Sequence, residues 1–131
     1  MEKRTVRRND LLYPELSYRV VGILFDVYNE LGSGHREEYY QRTIAKALRN
    51  TSLLFQEQVS FPLKYRGATV GKYRIDFLIE DKILLEIKRG PRFSKRHIDQ
   101  VLEYLKTTHL RLAILSNFGP EGVLFKRIIS A

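Results

Sequence analysis

Apolar residues recur at helical spacing early in the chain and at strand spacing in its middle. Pro14 stands where a first helical turn tolerates proline. After it, Tyr18, Val21, Leu24, Phe25, Tyr28 and Leu31 follow at helical intervals until Gly32 and Gly34 end the run. A second helix is expected from near Arg36, with Tyr40, Ile44, Ala47 and Leu48 on its buried stripe. Phe55 to Tyr65 and Val70 to Glu80 then read as strands around a turn at Arg66-Gly67. Pro62 makes the first of them an edge strand or interrupts it. Glu80-Asp81-Lys82 is a tight polar turn into a third strand, Ile83 to Lys88, which Gly90-Pro91 stops.

Ser94 is placed to cap a third helix whose stripe is Ile98, Val101, Leu102 and Leu105. Leu112 to Leu115 reads as a short strand, Asn117 to Gly122 as a loop, and Val123 to Ile129 as a last strand. The order α-α-β-β-β-α-β-β is that of an α/β or α+β domain with a mixed sheet. Residues 1–10, with Lys3, Arg4, Arg7 and Arg8, read as a basic N-terminal arm, and residues 11–131 as one domain.

The alternation of side chains gives the hairpin about Asp81 two faces. Ile75, Phe77 and Ile79 fall with Ile83, Leu85 and Ile87; Asp76, Leu78, Leu84, Glu86 and Lys88 fall on the other face. Asp76 and Glu86 are equidistant from the turn, so they become cross-strand neighbours. Two opposed carboxylates repel, and a divalent cation between them removes the repulsion. Hard oxygen donors of this kind suit Mg²⁺ or Mn²⁺. Lys88 projects beside Glu86, where it can orient a water or balance charge growing on a phosphate. A solvated surface ion pair is the plainer reading of such a face. The interleaved Leu78 and Leu84 argue that the face is covered.

Composition narrows the setting. The 131 residues are 44% hydrophobic, enough for a core without staples, and include no cysteine, which excludes disulfides and thiolate chemistry. No stretch reaches the length of a membrane helix, and the start lacks a signal-peptide core, so a cytoplasmic protein without membrane attachment is expected. Lys and Arg number 23 against 15 Asp and Glu, a net charge of +8. That surplus favours polyanionic partners. Arg89, Arg92, Lys95 and Arg96 follow the acidic strand closely and form a candidate phosphate-tracking rim. The histidines, His35, His97 and His109, have no metal-ligand spacing.

Two further patterns accompany the acidic strands. Gly34-x-x-Glu37-x-x-Tyr40 opens the second helix, and Gln100-x-x-x-Tyr104 shares one face of the third. In isolation each has a plain role, as a dipole-complementing first-turn Glu and as polar positions beside a stripe. Together with Asp76, Glu86-Ile87-Lys88 and the later Leu115-Ser116-Asn117-Phe118-Gly119, the chain after its basic arm resembles the GxxExxY proteins, which are assigned to the PD-(D/E)XK nuclease-like superfamily. The resemblance implies a restriction-endonuclease-like core and a Mg²⁺- or Mn²⁺-dependent nuclease acting on nucleic acid, DNA foremost. It implies that Asp76 and Glu86 hold the metal with Glu37 completing or supporting the site. It further implies that Lys88 assists the water, and that Gln100 and Tyr104 help position metal and DNA. Ile75 stands where the superfamily often has Pro. A non-catalytic nucleic-acid-binding module or an interaction subunit on the same fold is the alternative, and a homodimer or partner is a means of choosing a target.

Overall fold

The structure, a computed structural model, describes residues 12–130; the expected basic arm at 1–10 lies outside them. Helices α1 (Pro14–Leu31) and α2 (Glu37–Arg49) precede strands β1 (Phe55–Tyr65), β2 (Ala68–Ile79) and β3 (Ile83–Arg89). Helix α3 (Lys95–Thr108) leads to β4 (Leu112–Phe118) and β5 (Val123–Ile129). The expected element order holds, as does the edge position of β1: the sheet runs β1-β2-β3-β4-β5. Among the described strands only β3 and β4 are parallel, and α3 makes the crossover between them. No helix among the described residues is long and apolar enough to cross a membrane.

Helices α1 and α2 cover one face of the sheet. Val20, Leu24, Tyr40, Ile44 and Leu48 pack there on Phe77, Ile79, Leu85, Ile87 and Ile114. Helix α3 covers the other face with Val101, Tyr104 and Leu105 on Leu78, Leu84, Ala113 and Leu115. Being buried on both sides, β3 and β4 carry continuous apolar runs where an exposed sheet would alternate. Each fully buried Leu or Ile contributes about 1.5–3 kcal/mol against exposure.

Several expectations are corrected by this packing. The buried stripe of α1 is Ser17, Val20, Leu24 and Val27, and Tyr18 and Phe25 are exposed. The aromatic ring of Phe25 instead meets Phe125 edge-on at 6.3 Å. On α3, Leu102 is exposed and Tyr104 takes the core position. Strand β4 runs through Asn117 to Phe118, because Lys88 pairs with Asn117 and Arg89 with Phe118. Asn117 was expected to open a loop, yet it and Ser116 are buried and bonded within the molecule.

The β2–β3 hairpin turns as expected about Asp81. Ile79 pairs with Ile83 and Phe77 with Leu85, while Glu80 and Asp81 take φ of 55° and 53°, the left-handed pair of a tight hairpin turn. Ile75, however, packs with the α3 layer while Phe77, two residues on, packs with α1 and α2. A regular strand would keep both on one face. The break lies at Asp76 and at Gln58 across from it, whose φ is 49°.

Tyr40 ties the helix pair to the sheet. It is fully buried, donates from Oη to the Gly32 carbonyl at 2.6 Å, and stacks on Phe118 with centroids 4.3 Å apart. Tyr40→Phe keeps the stack and strands that carbonyl. Urea unfolding is expected to show a loss of about 1 kcal/mol with an unchanged m-value.

Candidate active site

The site forms where β2 and β3 part. Backbone pairing between them stops at Phe77 and Leu85, one residue short of Asp76 and Glu86. Side chains then replace the missing rungs. The Asp76 amide donates to Glu86 Oε1 at 2.9 Å, and the Ile87 amide donates to Asp76 Oδ2 at 2.8 Å. Each carboxylate thus holds the other's strand, and both heads are fixed at the fork. Gln58 Nε2 adds a long contact of 3.4 Å to Asp76 Oδ1.

Burial makes this pair electrostatically costly. Glu86 is 3% exposed, and burial, then the charge of Asp76, push its carboxyl up to about 8. Burial also raises Asp76, against the Ile87 amide and the nearby charge of Lys88, which both favour its ionised form. Glu37, in the first turn of α2, is raised first by burial; Lys88 opposes that and Asp76 adds to it. Lys88 therefore acts on all three carboxylates, as its place two residues beyond Glu86 predicts. No group of three His, Asp or Glu among the described residues is already gathered as a metal-ligand set. Asp76 and Glu86 are joined directly, and Glu37 stands within range of their fields.

Helix α3 closes the opposite side. Tyr104 is buried, its ring 5.0 Å from that of Tyr73, and burial followed by the charges of Glu86 and Asp76 raises its phenol. Gln100, one turn earlier, presents a buried Oε1 with no hydrogen-bond partner. His97, a further turn back, has a buried Nδ1 in the same condition, and its ring is lowered by burial, then by Lys88 and Arg96. Ser94 caps α3 as expected by accepting from the His97 amide. His35 and His109 lie outside the site, the first bonded to the Leu31 carbonyl and the second ending α3 with φ 62°.

The cationic residues after β3 are exposed: Arg89 at its end, Arg92 in the loop, and Lys95 and Arg96 opening α3. Lys95 is paired with Asp99 at 2.7 Å. Arg89 acts on Glu37, which links the rim to the site. Sequence reasoning passed over Arg74, whose charge favours ionised Asp76, although its position two residues earlier on the same strand was available. Gln58 gave no sequence signal.

The floor is built by β4. Ser116 Oγ donates to the Glu86 carbonyl at 2.9 Å, and Asn117 Nδ2 donates to the Gly90 carbonyl at 2.9 Å. Gly119 packs closely beside them: a Cβ there would stand 3.2 Å from the Gly90 carbonyl oxygen, so that backbone would have to give by a few tenths of an ångström. The Leu115–Gly119 segment therefore fixes the end of β3 and with it Glu86 and Lys88.

With this geometry established, comparison with known proteins is decisive at the family level. The family model for the PD-(D/E)XK nuclease superfamily matches residues 14–128. The chain belongs to this superfamily. Among solved structures the fold is similar to the crystal structure of SSO0001, at 20% identity and a TM-score of 0.57, over 71% of this chain and 49% of that one. An alkaline exonuclease from Laribacter hongkongensis, LHK-Exo, is also similar, at 17% identity and a TM-score of 0.44, over 72% and 55% of the two chains. The chain spans about half the length of each. Among curated proteins no sequence match is found.

Proposed function

We propose that this PD-(D/E)XK protein is a divalent-metal-dependent nuclease that hydrolyses phosphodiester bonds in DNA. The observation that carries the reading is the pairing of buried Glu86 with half-buried Asp76, locked by reciprocal amide bonds at the strand fork. Such a pair is disfavoured while both groups are charged, and a hard dication between them reverses that. The donor set therefore fits Mg²⁺ or Mn²⁺, held by Asp76 and Glu86 with Glu37 in support. When bound, the cation supplies Lewis acidity toward phosphate oxygens and lowers the pKa of water.

The protein's own groups account for the remaining requirements. Lys88 holds a water or a phosphate oxygen by an ammonium donor and balances the negative charge gathered at the cut. Gln100 offers an unpaired amide oxygen from the α3 wall, and Tyr104 forms the wall itself. Arg89, Arg92, Lys95 and Arg96 offer charge to the flanking backbone. Gly34-x-x-Glu37-x-x-Tyr40 supports a place among the GxxExxY proteins. In that pattern Gly34 adopts φ 89°, Glu37 lies within the field of Asp76 and Lys88, and Tyr40 braces the α1–α2 loop at Gly32 and His35.

The reading separates metal binding from chemistry. Titration calorimetry with Mn²⁺ is expected to show a site in the wild type that Asp76→Asn loses. Lys88→Ala is expected to retain Mn²⁺ affinity within a few-fold and to cut DNA roughly 10²-fold more slowly. Loss of Mn²⁺ binding in Lys88→Ala, or unchanged cutting, would remove Lys88 from the proposed role.

A further inference from the structure

Strands β1 and β2 remain paired from Phe55↔Ile79 out to Tyr65↔Ala68, whereas β2 and β3 pair only over Phe77 to Ile79. The outer part of the β1–β2 hairpin is therefore a two-stranded ribbon that leaves the sheet at Asp76. From Val59 to Tyr65 it extends for about 20 Å at the usual rise of a strand. Two-stranded ribbons are marginal alone. This one is anchored at its base, where Val59, Phe61 and Tyr73 pack against the α3 layer. Its tip has no such support, and Tyr65 and Val70 are 61% and 63% exposed.

Residues 60–75 contain Lys64, Arg66, Lys72 and Arg74 and no Asp or Glu. All four cations are exposed. Lys72 and Arg74 alternate with Tyr73, which faces α3, so they share the ribbon's opposite face. Their cross-strand partners, Pro62 and Ser60, are uncharged. The ion pairs among the described residues use Arg36, Arg42, Arg49, Lys95 and Lys106 and none of these four. Arg66 lies over the Tyr65 ring at 5.2 Å, which leaves its charge unneutralised at the tip. Arg74 is near enough to favour ionised Asp76, so the cationic face begins at the catalytic carboxylates.

We propose that the β1–β2 ribbon is a DNA-gripping arm, which tracks the duplex on one side of the cut through Lys64, Arg66, Lys72 and Arg74. The assignment rests on the nuclease reading for its orientation. A major groove about 12 Å wide admits a two-stranded ribbon, and exposed cations outside any ion pair release the DNA's counterions when they neutralise phosphates. An open strand edge could also add a strand from a protein. A fourfold positive and wholly non-acidic segment favours the polyanion.

The test measures binding of a fluorescein-labelled 20-base-pair duplex to the full chain in EDTA by anisotropy across a salt series. Changing Lys64, Arg66, Lys72 and Arg74 together to Gln is expected to weaken binding at least about tenfold near 0.1 M salt. The slope of log K against log salt should fall by about 2–4, near 0.9 per lost phosphate contact. A control changes Arg19, Lys46, Lys106 and Arg111 to Gln, removing the same charge elsewhere, and is expected to shift affinity less than threefold. Circular dichroism confirms folding of both variants. Equal losses in the two, or an unchanged duplex affinity in the ribbon variant, would overturn the arm. A ribbon variant that binds normally but changes oligomeric state in light scattering would overturn it in favour of protein contact. Cleavage is measured alongside: absent cleavage with ribbon-dependent binding defeats the nuclease reading and leaves the arm, and the reverse result defeats the arm alone.

Discussion

Replacing Glu86 with Gln is expected to lower metal-dependent cleavage by at least about 10³-fold while leaving the protein folded. The side chain sits at the fork of β2 and β3, where its Oε1 accepts from the Asp76 amide at 2.9 Å. The Gln amide oxygen can accept that same bond, so the strand geometry survives. What is lost, on the proposed reading, is one of two anionic donors that would hold the cation. Losing a single preorganised stabilising group commonly costs about 10²–10³ in rate, and losing a ligand removes the metal's contribution as well. Glu86→Ala should be as inactive and less stable, because the Asp76 amide is then left without its acceptor. Steady-state cleavage and urea unfolding of both variants separate the two effects.

The same substitution is expected to stabilise the metal-free protein at alkaline pH. Glu86 has an ordinary value of 4.5 that rises to about 8 in the fold, through burial and then the charge of Asp76. Its folded form thus binds a proton more tightly than its unfolded form. Below about pH 4.5 both states are protonated and the group contributes nothing to the pH dependence. As pH rises the unfolded state ionises first, so wild-type stability falls through this window until the folded group also ionises near pH 8. The penalty at pH 8 and above is on the order of a few kcal/mol. Glu86→Gln cannot ionise, so its advantage over the wild type should grow from pH 4.5 to 8 and then level off. Chemical denaturation at pH 4.5, 6, 7 and 8 in EDTA checks this. Saturating Mn²⁺ should erase the advantage, because the cation stabilises only the wild type's folded state. An inactive variant more stable than its parent is what a strained catalytic site predicts.

These expectations depend on features that the sequence showed unequally. The hairpin about Asp81 was legible because the turn is short and its flanks are apolar, which left one register that buries both strands. That register alone brought Asp76 and Glu86 together. Their reciprocal amide bonds were not legible, since they exist only because the strands part at that point. The change of face at Ile75 was hidden for a similar reason: it depends on a left-handed Gln58 that no local rule marks. Ser116 fell outside the expected strand and Asn117 read as a loop residue, because polar side chains seldom fill a buried strand. Here each satisfies a backbone carbonyl at the end of β3. Tyr18 and Phe25 fit helical spacing as well as the true stripe does, and only the direction of the sheet decides between them. The length of the β1–β2 ribbon beyond β3 likewise followed from tertiary pairing.

The most direct measurement is cleavage of single-stranded, duplex and branched DNA by the full chain with Mg²⁺, Mn²⁺ or EDTA, wild type beside Glu86→Gln. Metal-dependent cutting that EDTA stops and the variant lacks is the predicted result. Equal cutting by both proteins, or salt-sensitive binding without cutting under any metal, would contradict it.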